Sequence, residues 1–134
     1  LSGDKFSVIT ILENGRSMIE ESVRKLGLSN RLASVRAINM TPKEIDSDYS
    51  QTESAVRKEA EAAIREDGAS VLVMGCMSPD MVSIGDNLSV SFRIPVVNPV
   101  RTAVNLAESL VKQGQKTNRV TYPTPVSLTS RKLT

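Results

Sequence analysis

The sequence predicts an α/β fold built on a four-stranded parallel, doubly wound sheet with strand order 2-1-3-4. Three observations carry this. Short β-branched apolar runs alternate with segments of helical periodicity, in the order β-α-β-α-β-α-β-α. Glycines stand where helices should end, at Gly27, Gly68 and Gly114. The first and third apolar runs are the most continuous, as strands covered on both faces should be, so they belong in the centre. The crossovers should be right-handed.

Each element follows from its residues. Phe6 to Ile11 is an apolar, β-branched run and predicts the first strand. Asn14-Gly15 supplies turn chemistry, after which Ile19, Val23 and Leu26 recur at helical spacing. Ala33 to Ile38 predicts the second strand. Thr41-Pro42 opens what reads as a polar loop ending near Tyr49. Ser50-Gln51-Thr52-Glu53 matches a capping box, and a long helix is expected from there to about Asp67, with Val56, Ala60, Ala63 and Ile64 inward. Residues 70–75 form the third strand. Pro79-Asp80 can start a helix, which Gly85 weakens. Residues 95–98 form a short fourth strand, placed at an edge by Pro95. Asn98-Pro99 resembles an N-cap with Pro at N1. Val100, Ala103, Val104, Ala107 and Leu110 then give an amphipathic helix ending at Gly114. Residues 1–114 are thus expected to form one domain and 115–134 an extended tail.

Composition excludes several function classes. The chain has 134 residues, 40% hydrophobic and 24% charged, an ordinary globular mix. No apolar run approaches the ~20 residues of a membrane helix. The chain contains no His, which removes imidazole as base, shuttle or ligand. It contains one Cys, which excludes an internal disulfide and a thiolate zinc cage. A net charge of +2, two Phe, two Tyr and no Trp argue against nucleic-acid binding. The first residues lack a signal-peptide pattern, and a lone thiol fits a reducing cytoplasm. No glycine-rich phosphate cradle is present.

Open parallel sheets bind ligands beyond the carboxyl ends of their strands. Thr10, Gly75-Cys76-Met77-Ser78 and Asn98 occupy such positions. Cys76 follows a glycine, which lets a ligand approach the backbone. It also precedes a predicted helix start, which favours thiolate and binds carboxylate oxygens. A buried structural Cys fits the residues equally well. Thr10 can donate to a substrate oxygen or serve as a β-branched strand residue with a locally satisfied hydroxyl. Asn98 reads first as a helix cap.

These blocks resemble the aspartate/glutamate/hydantoin racemases, and within them the hydantoin and allantoin racemase branch. The likeness runs through Lys5 to Thr10, Leu32 to Ala37, and Asp67-Gly68-Ala69 followed by Val71 to Ser78. It continues through Ile94 to Val100, Ala103-Val104 and Leu106-Ala107-Glu108, and into Tyr122-Pro123 and Pro125. The resemblance implies a metal-free, PLP-independent racemase or epimerase of hydantoin-type or amino-acid-type substrates, built from two pseudo-symmetric α/β halves. Each half supplies one Cys, and no cofactor is involved. It implies Cys76 as base or acid, and Thr10, Gly75, Met77 and Ser78 as substrate contacts. This chain would be the second half, completed by an N-terminal half, acting on a small molecule and expected as a homo-oligomer. Ile11 replaces a usual Thr, and Pro79 stands where the branch often has Met. A decarboxylase or isomerase of the same superfamily, and a non-catalytic ligand-binding domain, are the competing expectations.

Overall fold

The computed structural model describes residues 3–123, the side chains of Pro79 and Asp80 excepted. Four strands form one parallel sheet: β1 (Phe6–Thr10), β2 (Leu32–Ala37), β3 (Val71–Met74) and β4 (Val96–Val97). Their order is β2-β1-β3-β4, as the sequence predicts. Among the described residues five α-helices accompany them: α1 (Arg16–Lys25), α2 (Pro42–Ser47), α3 (Tyr49–Arg65), α4 (Pro79–Phe92) and α5 (Pro99–Lys112). The chain divides into two compact units, the first ending at Thr102 and the second beginning at Ala103, inside α5.

The strand order follows from where the apolar residues go. Ile9, Leu72 and Met74 point to one face and meet Val56, Ala60 and Ala63 of α3 and Met81, Ile84 and Leu88 of α4 in a single buried cluster. The connection β1-α1-β2 runs one way along the sheet, and β2-α3-β3 runs back across β1. Right-handed crossovers therefore put α1 and α3 on opposite faces. β4 is short because Pro95 has no N–H to give; its carbonyl still accepts from Leu72 N at 3.0 Å.

Three local readings are corrected. The segment after Thr41 is not a loop: it holds α2, whose capping box joins Thr41 and Glu44, with Pro42 at N1 and Ile45 buried in the core. The long helix starts at Tyr49 rather than at the Ser50–Glu53 box. Asp48 caps it, accepting from Gln51 N at 2.9 Å, and Thr52 Oγ1 donates back to the Asp48 carbonyl at 2.8 Å. Nor does Gly85 interrupt α4, which is continuous through it. A Cβ there would sit 3.1 Å from Met74 Cγ and 3.4 Å from Val96 Cγ1, so glycine lets the helix lie close on the sheet.

α5 begins with Asn98 as its cap, Oδ1 accepting from Arg101 N at 3.1 Å. Its side chains then behave unlike those of α3. Its apolar face is exposed, from 42% at Val100 to 51% at Val104 and 43% at Leu110. Residues 115–123 form no helix or strand, and Asn118 closes a turn by accepting from Val120 N at 2.8 Å. The rest of the expected tail, with Pro125, lies outside the described residues. Among the described residues no helix is long and apolar enough to cross a membrane.

One ion-pair network clamps the edge strand β2 to the loop that enters β3. Arg36 donates to Asp67 at 2.6 and 3.0 Å and to Glu66 at 2.8 Å, with Glu59 at 3.4 Å. The paired Arg36 guanidinium holds the Asp67 carboxyl below its usual range. A carboxyl depressed in the folded state stabilises the fold above its unfolded pKa, and that stability is lost as pH falls through the folded value. Asp67→Asn should therefore cost about 1–3 kcal/mol at neutral pH, and the difference from wild type should close on acidification. Thermal melts of both proteins from neutral to acid pH check this; a constant difference would contradict it.

Candidate functional site

The direction of the chain reverses between β1 and β3, which makes their carboxyl ends the switch point of the sheet. Such a point leaves a crevice, because the flanking connections leave in opposite directions. Ile9 pairs with Met74, so the next residues in register, Thr10 and Gly75, stand side by side at the carboxyl ends of these strands. Gly75 N donates to Ile9 O at 2.7 Å and keeps the exit of β3 against β1.

Gly75 is exposed at the sheet end and could not be a larger residue without movement. A Cβ would meet Ile9 O at 2.9 Å and Val8 Cγ1 at 3.1 Å. Because the first contact is backbone, Gly75→Ala should destabilise by about 1–3 kcal/mol and displace the segment that carries Cys76. The midpoint of urea unfolding reads this; an unchanged midpoint would show that the loop is slack.

Cys76 is a free thiol, half-buried beside the core cluster. It is neither inside a helix nor fully buried. Two residues on, Ser78 caps α4 with extended backbone (φ −63°, ψ 153°), its Oγ accepting from Met81 N at 3.4 Å. The acceptor capacity of Ser78 is thus partly used. Met77 is 59% exposed. Thr10 is buried as the last residue of β1. The structure thus brings Thr10, Gly75, Cys76, Met77 and Ser78 to one end of two adjacent strands. Asn98 lies past β4, where its carbonyl oxygen is engaged in capping.

The sequence reading passes over the other lip of this end. After Thr10 the chain makes a 3-10 turn over Glu13–Gly15 that runs directly into α1. A Cβ on Gly15 would lie 3.8 Å from Thr10 Oγ1, so this turn sits over the threonine hydroxyl. Ile38 N donates to Thr10 O and Met40 N to Ile11 O, both at 3.0 Å. Asn39 between them takes a left-handed conformation, φ 55°, and its Oδ1 accepts from Glu13 N at 3.3 Å. The available signal is an Asn just past a strand, the residue type that tolerates φ > 0.

A polar cavity of about 370 Å³ lies beside β2, lined among others by Arg16, Arg36, Asn39 and Asp67. Its cations are paired, Arg36 as above and Arg16 with Glu13 at 3.1 Å and Glu20 at 3.0 Å. Among the described residues no three His, Cys, Asp or Glu side chains are grouped to hold a metal ion.

Comparison with known proteins places this arrangement. Residues 1–107 match the family model of Asp/Glu/Hydantoin racemase. A hydantoin racemase of Paenarthrobacter aurescens is 36% identical over 114 residues, which cover 85% of this chain and 48% of that protein. A hydantoin racemase of Rhizobium meliloti is 37% identical over 122 residues, 90% of this chain and 50% of that protein. Among solved structures, an allantoin racemase from Pseudomonas fluorescens superposes with a TM-score of 0.79 at 38% identity, covering 92% of this chain and 52% of that one. The chain spans about half the length of the curated relatives it matches.

Proposed function

Because this chain belongs to the Asp/Glu/hydantoin racemase family, we propose that the complete protein is a cofactor-independent racemase or epimerase of hydantoin-type or amino-acid-type substrates, with Cys76 as one of its two proton-transfer groups. The observation that carries this reading is the position of Cys76. It is a half-buried free thiol just past a central strand, at the switch point, two residues before a helix start.

The chemistry follows from the group. A thiolate at position 76 takes the proton from the carbon next to a carbonyl, and the electron pair left behind spreads onto the carbonyl oxygen as an enolate. N–H groups near the start of α4 and the hydroxyls of Ser78 and Thr10 are the donors available to that oxygen. A second thiol on the opposite face returns a proton to the same carbon and inverts it. In the reverse direction the roles exchange. A thiol suits both, since its ordinary ionisation lies close enough to neutral pH for either form to be accessible. The second thiol belongs to the part of the protein that corresponds to the other half of the relatives. Gly75 and Met77 line the same loop, Gly75 through its accessible backbone.

Two tests bear on this. With the complete gene product in D2O, deuterium should enter at Cα of the accepted substrate among hydantoins, allantoin and amino acids. Release of CO2 without exchange would favour the decarboxylase instead, and neither result would favour a binding domain. Cys76 should also alkylate with iodoacetamide at neutral pH in the folded protein, because the thiol is free and only half-buried. Alkylation only after unfolding would make it a packing residue.

A further inference from the structure

The geometry points to Asn39 as a positioning residue for the substrate wall formed by Thr10, a role that rests on Thr10 contacting substrate. Three observations converge on it. The 3-10 turn Glu13–Gly15 starts after Leu12, whose side chain provides no cap, so the first N–H of the turn has no local side-chain acceptor. Asn39 Oδ1, 26 residues away in sequence, accepts from that N–H, on Glu13. Asn39 reaches it only by adopting φ 55°, one of two positive-φ non-glycine residues among those described; the other, Arg93, merely ends α4. This left-handed residue stands between two strand-exit hydrogen bonds, from Ile38 N to Thr10 O and from Met40 N to Ile11 O. Its effect is to turn the Asn39 amide toward the other loop.

The consequence runs to the site in two steps. Capping Glu13 N fixes the turn, and the turn ends in Gly15, where an added Cβ would come within 3.8 Å of Thr10 Oγ1. Asn39 therefore sets how much room a substrate finds at the threonine hydroxyl, while Cys76 stands on the neighbouring strand exit, beyond its direct reach in the hydrogen-bond network. Loss of the cap should weaken ground-state and transition-state binding alike, which raises KM and spares kcat.

Three variants of the complete protein test this. Asn39→Gly keeps the left-handed backbone without strain and deletes only the acceptor. KM should rise about three- to tenfold, the factor that one hydrogen bond is worth, with kcat and Tm close to wild type. Asn39→Asp retains an acceptor and tolerates φ > 0, so KM should stay near wild type. Asn39→Ala loses the acceptor and adds strain, so it should show the KM of the Gly variant together with a lower Tm. A wild-type KM in Asn39→Gly, or an equal rise in Asn39→Asp, would overturn the role. Full racemase activity in Cys76→Ala would instead overturn the underlying assignment, whatever Asn39 does.

Discussion

Cys76→Ala in the complete protein should lose racemisation by about 10²–10⁴-fold, the range a positioned acid–base group contributes. The argument is local. The chain has no His and no other Cys, so it holds no imidazole and no second thiol to take the place of Cys76. Glu13, the acidic residue nearest in sequence to Thr10, is paired with Arg16 at 3.1 Å. Cys76→Ser should be nearly as damaging, since a hydroxyl is a much weaker acid and base near neutral pH. The Ser variant also preserves shape, so a matching loss in both variants separates chemistry from packing. Steady-state rates in both directions, with circular dichroism to confirm folding, read the result.

The 134 residues taken alone should show no useful racemisation. Inversion requires proton exchange on opposite faces of one carbon, and one fixed side chain cannot serve both while the substrate stays oriented. The first compact unit, which holds Thr10 and Cys76, contains a single thiol and no imidazole. Polarimetry on the purified chain should stay flat over times in which the complete protein equilibrates the same hydantoin. A chain that racemises at the complete protein's rate would refute the two-thiol mechanism.

Strand order was legible because burial on two faces leaves a mark in the residues themselves. Val71-Leu72-Val73-Met74 could only be a covered strand, and with β1 of similar character the centre of the sheet followed. The place of Cys76 in the fold was legible for the same reason: once β3 ends at Met74, the following residues stand at the carboxyl end of the sheet. α2 was not, because six residues with Ile45 as the single buried one leave no periodicity to detect, even though Thr41-Pro42-Lys43-Glu44 carries the cap. Asp48 outcompeted the Ser50 box because its side chain and carbonyl both found partners, Gln51 N and the buried Thr52. Asn39 was beyond reach of local reading, since its partner Glu13 is brought to it only by the pairing of β1 with β2. The amphipathic period of α5 was plain, but period alone does not say what a helix face meets, and here that face is exposed.

The most direct test of the account is enantiomer-resolved exchange in D2O by the complete protein carrying Cys76→Ala. With one thiol removed, the surviving group should still lift and return the Cα proton on its own face. Deuterium should then enter one enantiomer of the substrate, without inversion, while the other stays protonated. Exchange into both enantiomers at the wild-type rate would contradict the assignment of Cys76 as one of two opposed proton-transfer groups.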